Sequence, residues 1–380
     1  MKKEGGVLKT LFKNFLHRGT GYDLGVIIAV IFLTSMGTLM IYSTSSVFAL
    51  EKFGDPNYFL KRHALYLTVG FTLMFIMMKI NYQYLRKIVY PAYLFGLVLL
   101  VLVLIPGIGK EVSGARRWLV LGPLTFQPSE IVKFILVLFL AHSLTKKRDK
   151  IESFTIGFLS HLVIAGIYVF LVLLEPDFGT AVTLLVMLFG LLFVGDVRIK
   201  FLAPLGVASI CFSVLAVLTE GYRMRRIISF LDPWKDPLGS GYQAVQSFVA
   251  LGLGGISGSG LGDSTQKLFF LPQAHTDFIF SIIGEELGFL GILSIIIGFG
   301  FLMIRSLRVA LRSTDIFGCY IVFGCILLIT LQACINMAVA VGLFPTKGLT
   351  LPFISYGGTS LVSNLAAVGL ILSVSKSGRK

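Results

Sequence analysis

Long apolar blocks follow one another along this chain, separated by short polar or basic breaks. They fall near 24–45, 64–79, 88–106, 129–144, 155–174, 179–196, 201–219, 278–304, 317–341 and 358–374. A helix crosses a bilayer core with about 20 apolar residues, a length from which only 64–79 and 129–144 fall clearly short. The pattern predicts an all-α polytopic membrane protein with about ten transmembrane helices. A composition of 56% hydrophobic residues over 380 positions, with mean hydropathy +0.88, lies outside the range of ordinary soluble domains.

The breaks carry the charge. With the N-terminus in the cytoplasm, segments 1–23, 79–87, 145–154, 196–200, 305–316 and 375–380 lie inside and hold 20 of the 33 Lys and Arg; the outside segments hold 12. This asymmetry sets the orientation, and an even number of spans returns the C-terminus to the cytoplasm. Of the 19 Asp and Glu, 13 fall outside or within spans. The net charge of +14 is therefore mainly a topology signal, helped by anionic lipid on the cytoplasmic side. Scattered over short loops, the basic residues make no nucleic-acid surface. Residues 1–23 resemble the basic start of a signal peptide, but the apolar run after them is too long and no small-residue cleavage site follows, so they lead into a membrane anchor. The four cysteines all fall within spans with no CxxC spacing, which implies no disulfide, and the five histidines form no ligand cluster.

The expected organisation is a cytoplasmic segment 1–23, one membrane domain over 24–374, and a cytoplasmic tail 375–380. Two external loops are long, 107–128 and, between spans seven and eight, 220–277. Loops of this length in a compact protein are usually functional. A third external piece, "FPTKGLTLPFISYGGTS" at 344–360, interrupts apolar sequence as broken helices and re-entrant loops do.

Acids in or beside spans are candidates for function. In "LPQAHTDFIFSIIGEELG", Thr276 is placed to cap a helix beginning near Phe278, and Asp277 reads either as an acid of its first turn or as a general base at the water–lipid boundary. Glu285 or Glu286, two turns deeper, is expected to pair with a cation from another helix. In "GYRMRRIISFLDPWKDPLGSGYQAVQS", Arg223, Arg225 and Arg226 stand at the outer end of a span, either as a basic edge at lipid headgroups or as a phosphate-recognising group. Gln243, Gln246 and Ser247 share one face of an interfacial helix beneath a polar cavity, with Val245, Phe248 and Val249 on another. "LGLGGISGSGLG" lacks the context and pattern of a nucleotide loop and reads as a flexible turn. Glu130 and Lys133, three apart, are positioned to pair on one helix face. With Arg117, Arg226, Lys347, Asp177 and Asp277 they outline a two-sign polar site at the outer leaflet, suited to an amphiphile with an anionic head and a lipid tail.

Six stretches, "SGARRWLVLG", "FQPSEIVK", "EPDFGT", "YRMRRIISFLDPWKDPLGSGYQAVQS", "LPQAHTDFIFSIIGEELG" and "PTKGLTLPFISYGGTS", resemble in order and spacing the signatures of the SEDS (shape, elongation, division and sporulation) family. "PTKGLTLP" is similar to the division branch, FtsW, more than to the elongation branch, RodA. The chain departs from the family pattern at Gln273 and Glu175, where an acid and a Gln are frequent.

The resemblance implies ten spans, a bacterial cytoplasmic membrane location and a peptidoglycan glycosyltransferase facing outward and acting on lipid II and the nascent glycan strand. It implies Asp277 as catalytic residue and Arg117, Trp118, Glu130, Lys133, Asp177, Arg223, Arg226, Gln246, Lys347, Ser355 and Tyr356 as substrate-binding candidates. It also implies a divalent cation, Mg or Mn, with ligands unassigned. A class B penicillin-binding protein transpeptidase and other division or elongation proteins are its implied partners. Two other classes fit the same charges: a lipid II flippase and a non-catalytic scaffold. The outward position of Asp277 favours external chemistry over transport, and tolerance of Asp277 variants would mark a scaffold.

Overall fold

The computed structural model describes residues 21–377 other than 113, 123, 219, 220 and 269; the segment 1–20 and the last three residues of the predicted tail lie outside the described residues. The helices that coincide with the apolar blocks are α1 (Leu24–Phe53), α2 (Tyr58–Lys79), α3 (Leu85–Leu104), α4 (Pro128–Lys146), α5 (Ser160–Leu174), α6 (Phe178–Val194) and α7 (Ile199–Leu218). Two short helices follow, α8 (Gly221–Leu231) and α9 (Tyr242–Gly254), and then α10 (Ile279–Arg312), α11 (Ile316–Ala340) and α12 (Gly358–Ser377). Among the described residues, seven of these (α1, α3, α4, α5, α10, α11 and α12) are long and apolar enough to cross a membrane by length and composition alone. The chain is a multi-pass membrane protein.

Burial separates centre from rim. α4, α11 and α12 bury most of their apolar stretch inside the bundle, while α3, α5 and α10 turn residues such as Leu94, Phe95, Phe170 and Ile297 outward as a lipid-facing belt. Asp23 starts α1 by accepting the Val26 N–H at 3.2 Å, and Arg305 near the end of α10 pairs with the same carboxylate at 2.8 Å. One side chain thus caps one helix and ties it to another.

The segment 107–128, expected as loop, folds instead into an antiparallel three-stranded sheet, β1 (Gly109–Val112), β2 (Ala115–Leu121) and β3 (Leu124–Phe126), in that order, with Gly109 opposite Leu119 and Leu119 opposite Phe126. Leu119 packs with Leu99 and Val103 at the end of α3, which seats the sheet on the bundle. The arginines read as the end of a span stand on the separate helix α8 instead.

α10 is broken. Gly288 takes φ 65° and ψ −163°, a conformation open to glycine and forbidden to most other residues. The backbone groups freed by the break are taken up by residues 255–260: Ser259 and Gly260 N–H donate to the Glu285 and Glu286 carbonyls at 2.9 and 3.1 Å, and Phe289 N–H donates to the Gly255 carbonyl at 2.9 Å. Non-helical backbone at membrane depth has to be satisfied inside the protein. The glycine-rich stretch expected as a flexible turn is therefore a fitted plug. A Cβ on Gly258 would collide with the Glu286 carbonyl, and one on Gly288 with the Gly258 amide.

Candidate active site

Glu285 and Glu286, in the short N-terminal part of α10 before its break, both have protein partners. Glu285 accepts from Ser264 Oγ at 2.5 Å, Thr265 N–H at 2.8 Å and Thr265 Oγ1 at 3.0 Å, and so holds the loop that follows the plug. Glu286 pairs with Lys267 at 2.8 Å and accepts from Ser43 Oγ of α1 at 2.6 Å. The cation comes from the loop after α9, whereas the sequence predicts one from another helix. A buried carboxylate without a cation is costly, and here loop, α1 and α10 meet on one pair.

Asp277 differs. It lies just outside α10, whose first residue is Ile279 and whose N-cap, Phe278, offers no side-chain acceptor. Thr276, expected as the cap, turns its hydroxyl back to the Gln273 carbonyl and side chain, at 3.2 and 2.9 Å. The Asp277 N–H donates to the same Gln273 carbonyl at 3.1 Å, and its own carbonyl accepts from Asn336 of α11 at 2.9 Å. The backbone is thus fixed on both sides, and the carboxylate is left without a hydrogen-bond donor among the described residues. Burial raises its pKa from 3.8 to about 6, against the pull of the Arg226 charge.

The "PTKG" loop runs past this carboxylate residue by residue. Thr346 accepts from Arg226 Nη1 at 2.9 Å. Lys347 donates to the Gly179 carbonyl at 3.0 Å and faces the Asp177 carboxylate; burial lowers its pKa to about 8, opposed by Asp177 and helped by Lys133. Gly348 abuts Asp277: a Cβ there would lie 3.1 Å from Oδ2. Leu349 accepts from Asn336 at 2.6 Å, so one amide orients both the loop and Asp277. Farther on, Ser355 Oγ donates to the Thr276 carbonyl and Tyr356 N–H to the His275 carbonyl at 3.0 Å. Ser355 and Tyr356 therefore hold the backbone of the "HTD" stretch.

Asp177 caps α6, accepting from Thr180 N–H and Oγ1 at 3.1 and 2.8 Å and lying 3.4 Å from Gln127 Nε2. Arg117 of β2 clamps the turn before it, donating to the Glu175 and Pro176 carbonyls at 3.1 and 2.6 Å. Trp118 lies beside it on β2, half-buried, across from Lys110. Glu175 is wholly buried; burial first, then the nearby Asp177 charge, lifts its pKa to about 9, against the pull of Arg117. Glu130 and Lys133 pair at 2.8 Å inside the bundle, and Lys133 also donates to Gln332 at 3.1 Å. At 2% exposure, Lys133 reaches the loop through Gln332, whose amide donates to the Thr350 carbonyl at 3.0 Å. Gln246 is half-buried on α9 while Gln243 faces a cavity; Ser247, expected on the polar face, is buried against Ser281 and the Ala340 carbonyl. The side chain of Arg223 lies outside the described residues.

This geometry meets known proteins on one family. The model of the cell cycle protein family of FtsW, RodA and SpoVE matches residues 24–380. The chain belongs to that family. It is 46% identical over 369 residues, 97% of this chain and 96% of the relative, to a probable peptidoglycan glycosyltransferase FtsW of Trichlorobacter lovleyi. Among solved structures it is similar to a chain of a peptidoglycan synthase complex that coordinates polymerization and crosslinking, with TM-score 0.77, 31% identity and coverage of 94% and 99% of the two chains. It is also similar to the rod shape determining protein RodA of Thermus thermophilus, with TM-score 0.71, 29% identity and coverage of 94% and 98%. The branch indicated by "PTKGLTLP" is the FtsW branch.

Sequence reasoning missed Asn336 and Gln332, the two amides of α11 that hold the loop: Asn336 at Leu349, and Gln332 at the Thr350 carbonyl at 3.0 Å. The signal was available, since an Asn and a Gln four apart on an apolar helix share a face and need buried partners. It also missed the aromatic packing around His275, 4.8 Å from Phe59 and 6.0 Å from Tyr356 between ring centroids, whose burial lowers the imidazole pKa to about 4.

Proposed function

We infer that this chain is an FtsW-type peptidoglycan glycosyltransferase that polymerises lipid II at the outer face of the bacterial cytoplasmic membrane during cell division. The observation that carries the reading is Asp277: a half-buried carboxylate at the mouth of a broken helix, fixed by Gln273 and Asn336, crossed by the loop that carries Lys347 and accepts a hydrogen bond from Arg226 of α8.

Asp277 takes the proton of the acceptor GlcNAc 4-hydroxyl as that oxygen bonds to C1 of the donor MurNAc. The bond from C1 to the phosphate oxygen breaks, and its electron pair leaves with undecaprenyl pyrophosphate. One displacement converts an α-linked donor into a β-1,4 link, with no covalent enzyme intermediate. Negative charge grows on the departing oxygen, and fixed cations facing it lower the barrier; Arg226 and Lys347 are placed for this. Lys133, Glu130, Asp177 and Arg117 keep Lys347 and the Asp177 turn in position.

A divalent cation belongs to this reading as a companion of the pyrophosphate. Among the described residues no three His, Cys, Asp or Glu side chains converge into a cage for a resident ion. Magnesium is commonly held by one or two carboxylates and the substrate's own phosphates, and no step here runs through it.

The likeness to a chain of a complex coordinating polymerization and crosslinking supports a transpeptidase partner, here a class B penicillin-binding protein. The charge asymmetry supports cytoplasmic termini and an outward site. The test is to supply labelled lipid II, magnesium and that partner to the purified protein and to digest the product with a muramidase. A size ladder that the muramidase collapses is expected; no polymer with a verified partner would turn the reading toward transport or scaffolding.

A further inference from the structure

The corner between α1 and α2 is built of aromatic rings that the mechanism above does not use. α1 ends at Phe53, Gly54 caps it at φ 70°, the Asp55 carboxylate accepts the Asn57 N–H at 2.9 Å, and α2 starts at Tyr58. This short turn lays the Phe53 and Tyr58 rings face to face, 4.0 Å between centroids and 11° from parallel. Phe59, buried behind them, crosses both steeply at 5.8 and 5.3 Å. Phe59 also packs on Tyr356 at 5.1 Å and on His275 at 4.8 Å, and His275 is two residues from Asp277. A continuous run of rings therefore leads from the candidate base to the corner. Two cations stand over its exposed end. Lys52 Nζ lies 5.3 Å from the Phe48 centroid and 5.9 Å from that of Phe53, and the Arg62 guanidinium lies 4.8 Å from that of Tyr58. Asp55 is taken by Lys61 at 2.7 Å, and neither Lys52 nor Arg62 enters an ion pair among the described residues.

Phe53 keeps 44% of its surface exposed. Rings at a membrane boundary are mainly Trp and Tyr, whose polar edge meets the headgroups, and Phe53 has no such edge. A sugar ring offers C–H groups on its face, and these lie flat on the electron-rich face of an aromatic ring. We propose that this corner is a subsite for the glycan strand, with a sugar face on Phe53, Tyr58 as the backing ring, and the carboxylates of the strand's peptide stems on Lys52 and Arg62. The assignment rests on the polymerase reading and concerns the interval between links: no bond forms or breaks here. A strand extended repeatedly by one enzyme has to stay bound while the carrier leaves and the next lipid II enters. A contact set apart from Asp277, yet joined to it through Phe59 and His275, supplies that hold without touching the reacting atoms.

Strand length is the readout, because it reflects the rate of linking against the rate of strand release. Full-length wild type, Phe53→Leu, Phe53→Trp and Arg62→Gln, each checked for an unchanged melting temperature, receive labelled lipid II, magnesium and the partner transpeptidase with its crosslinking blocked by a β-lactam. Phe53→Leu keeps an apolar side chain for lipid but loses the ring face. Its strands should shorten by about two- to tenfold, the worth of one aromatic contact, while the first link between two lipid II molecules forms at the wild-type rate. Phe53→Trp should make strands of wild-type length, and Arg62→Gln should shorten them less than Phe53→Leu does. A soluble glycan tetrasaccharide carrying its stems should bind wild type more tightly than Phe53→Leu. Wild-type strand length in Phe53→Leu would overturn the subsite and make the corner a lipid-facing rim, with the polymerase reading intact. An equal loss of strand length and first-link rate would overturn it too, as damage to the catalytic site. No polymer from wild type with a verified partner would overturn the polymerase reading, and the subsite with it.

Discussion

A carboxylate that takes a proton from a sugar hydroxyl near neutral pH works best with a pKa close to that pH. Asp277 reaches about 6 through burial, although a guanidinium stands nearby. The ionised form is the base, so polymerisation should fall about tenfold per unit below about pH 6 and level off above it; a flat profile from pH 5 to 8 would remove Asp277 from that role. The same burial has a thermodynamic side. The folded pKa lies above the unfolded value of 3.8, so stability is full below that value and is lost as pH rises through about 6. Asp277→Asn, neutral throughout, should therefore melt higher than wild type at pH 8 and alike at pH 3.5. Asp277 itself was legible in the sequence as an acid beside a span. Its setting was not, because Asn336 and Gly348, which fix and confine it, lie 59 and 71 residues away in the chain.

Broken α10 makes the loop after α9 part of the membrane domain. Lys267→Met would leave Glu286 buried without its cation, at a cost of about 3–5 kcal/mol. Adding Glu286→Leu should restore most of that loss, with apparent melting temperature in detergent as the readout. Gly288→Ala should also destabilise, since it meets both a forbidden φ and the Gly258 amide. The apolar block at 278–304 revealed a helix but not its break: "EELGFLG" is apolar and glycine-bearing like many transmembrane stretches, and the plug that satisfies the break is 30 residues earlier. The strands at 109–126 escaped notice because they are four, seven and three residues long and bury little of their own. α8 escaped notice inside the segment 220–277 expected as loop, because only two residues separate Leu218 from Gly221 and its arginines read as the outer end of the preceding span.

For the whole molecule, hydropathy alone placed the spans, because lipid makes the apolar pattern almost the only one permitted. Tertiary pairings of polar groups were beyond its reach. Orientation rests on the Lys and Arg of the short loops. In a cysteine-free background, a cysteine at Leu238, 88% exposed, should react with an impermeant maleimide on intact cells. One at Lys150 should react only after permeabilisation, and the reverse pattern would invert the topology. The most direct measurement of the central claim places wild type and Asp277→Asn side by side with labelled lipid II, magnesium and the partner transpeptidase, and separates products by size. A glycan ladder from wild type, none from the variant, and equal recovery of folded protein are expected. A ladder of equal length and yield from Asp277→Asn would contradict it.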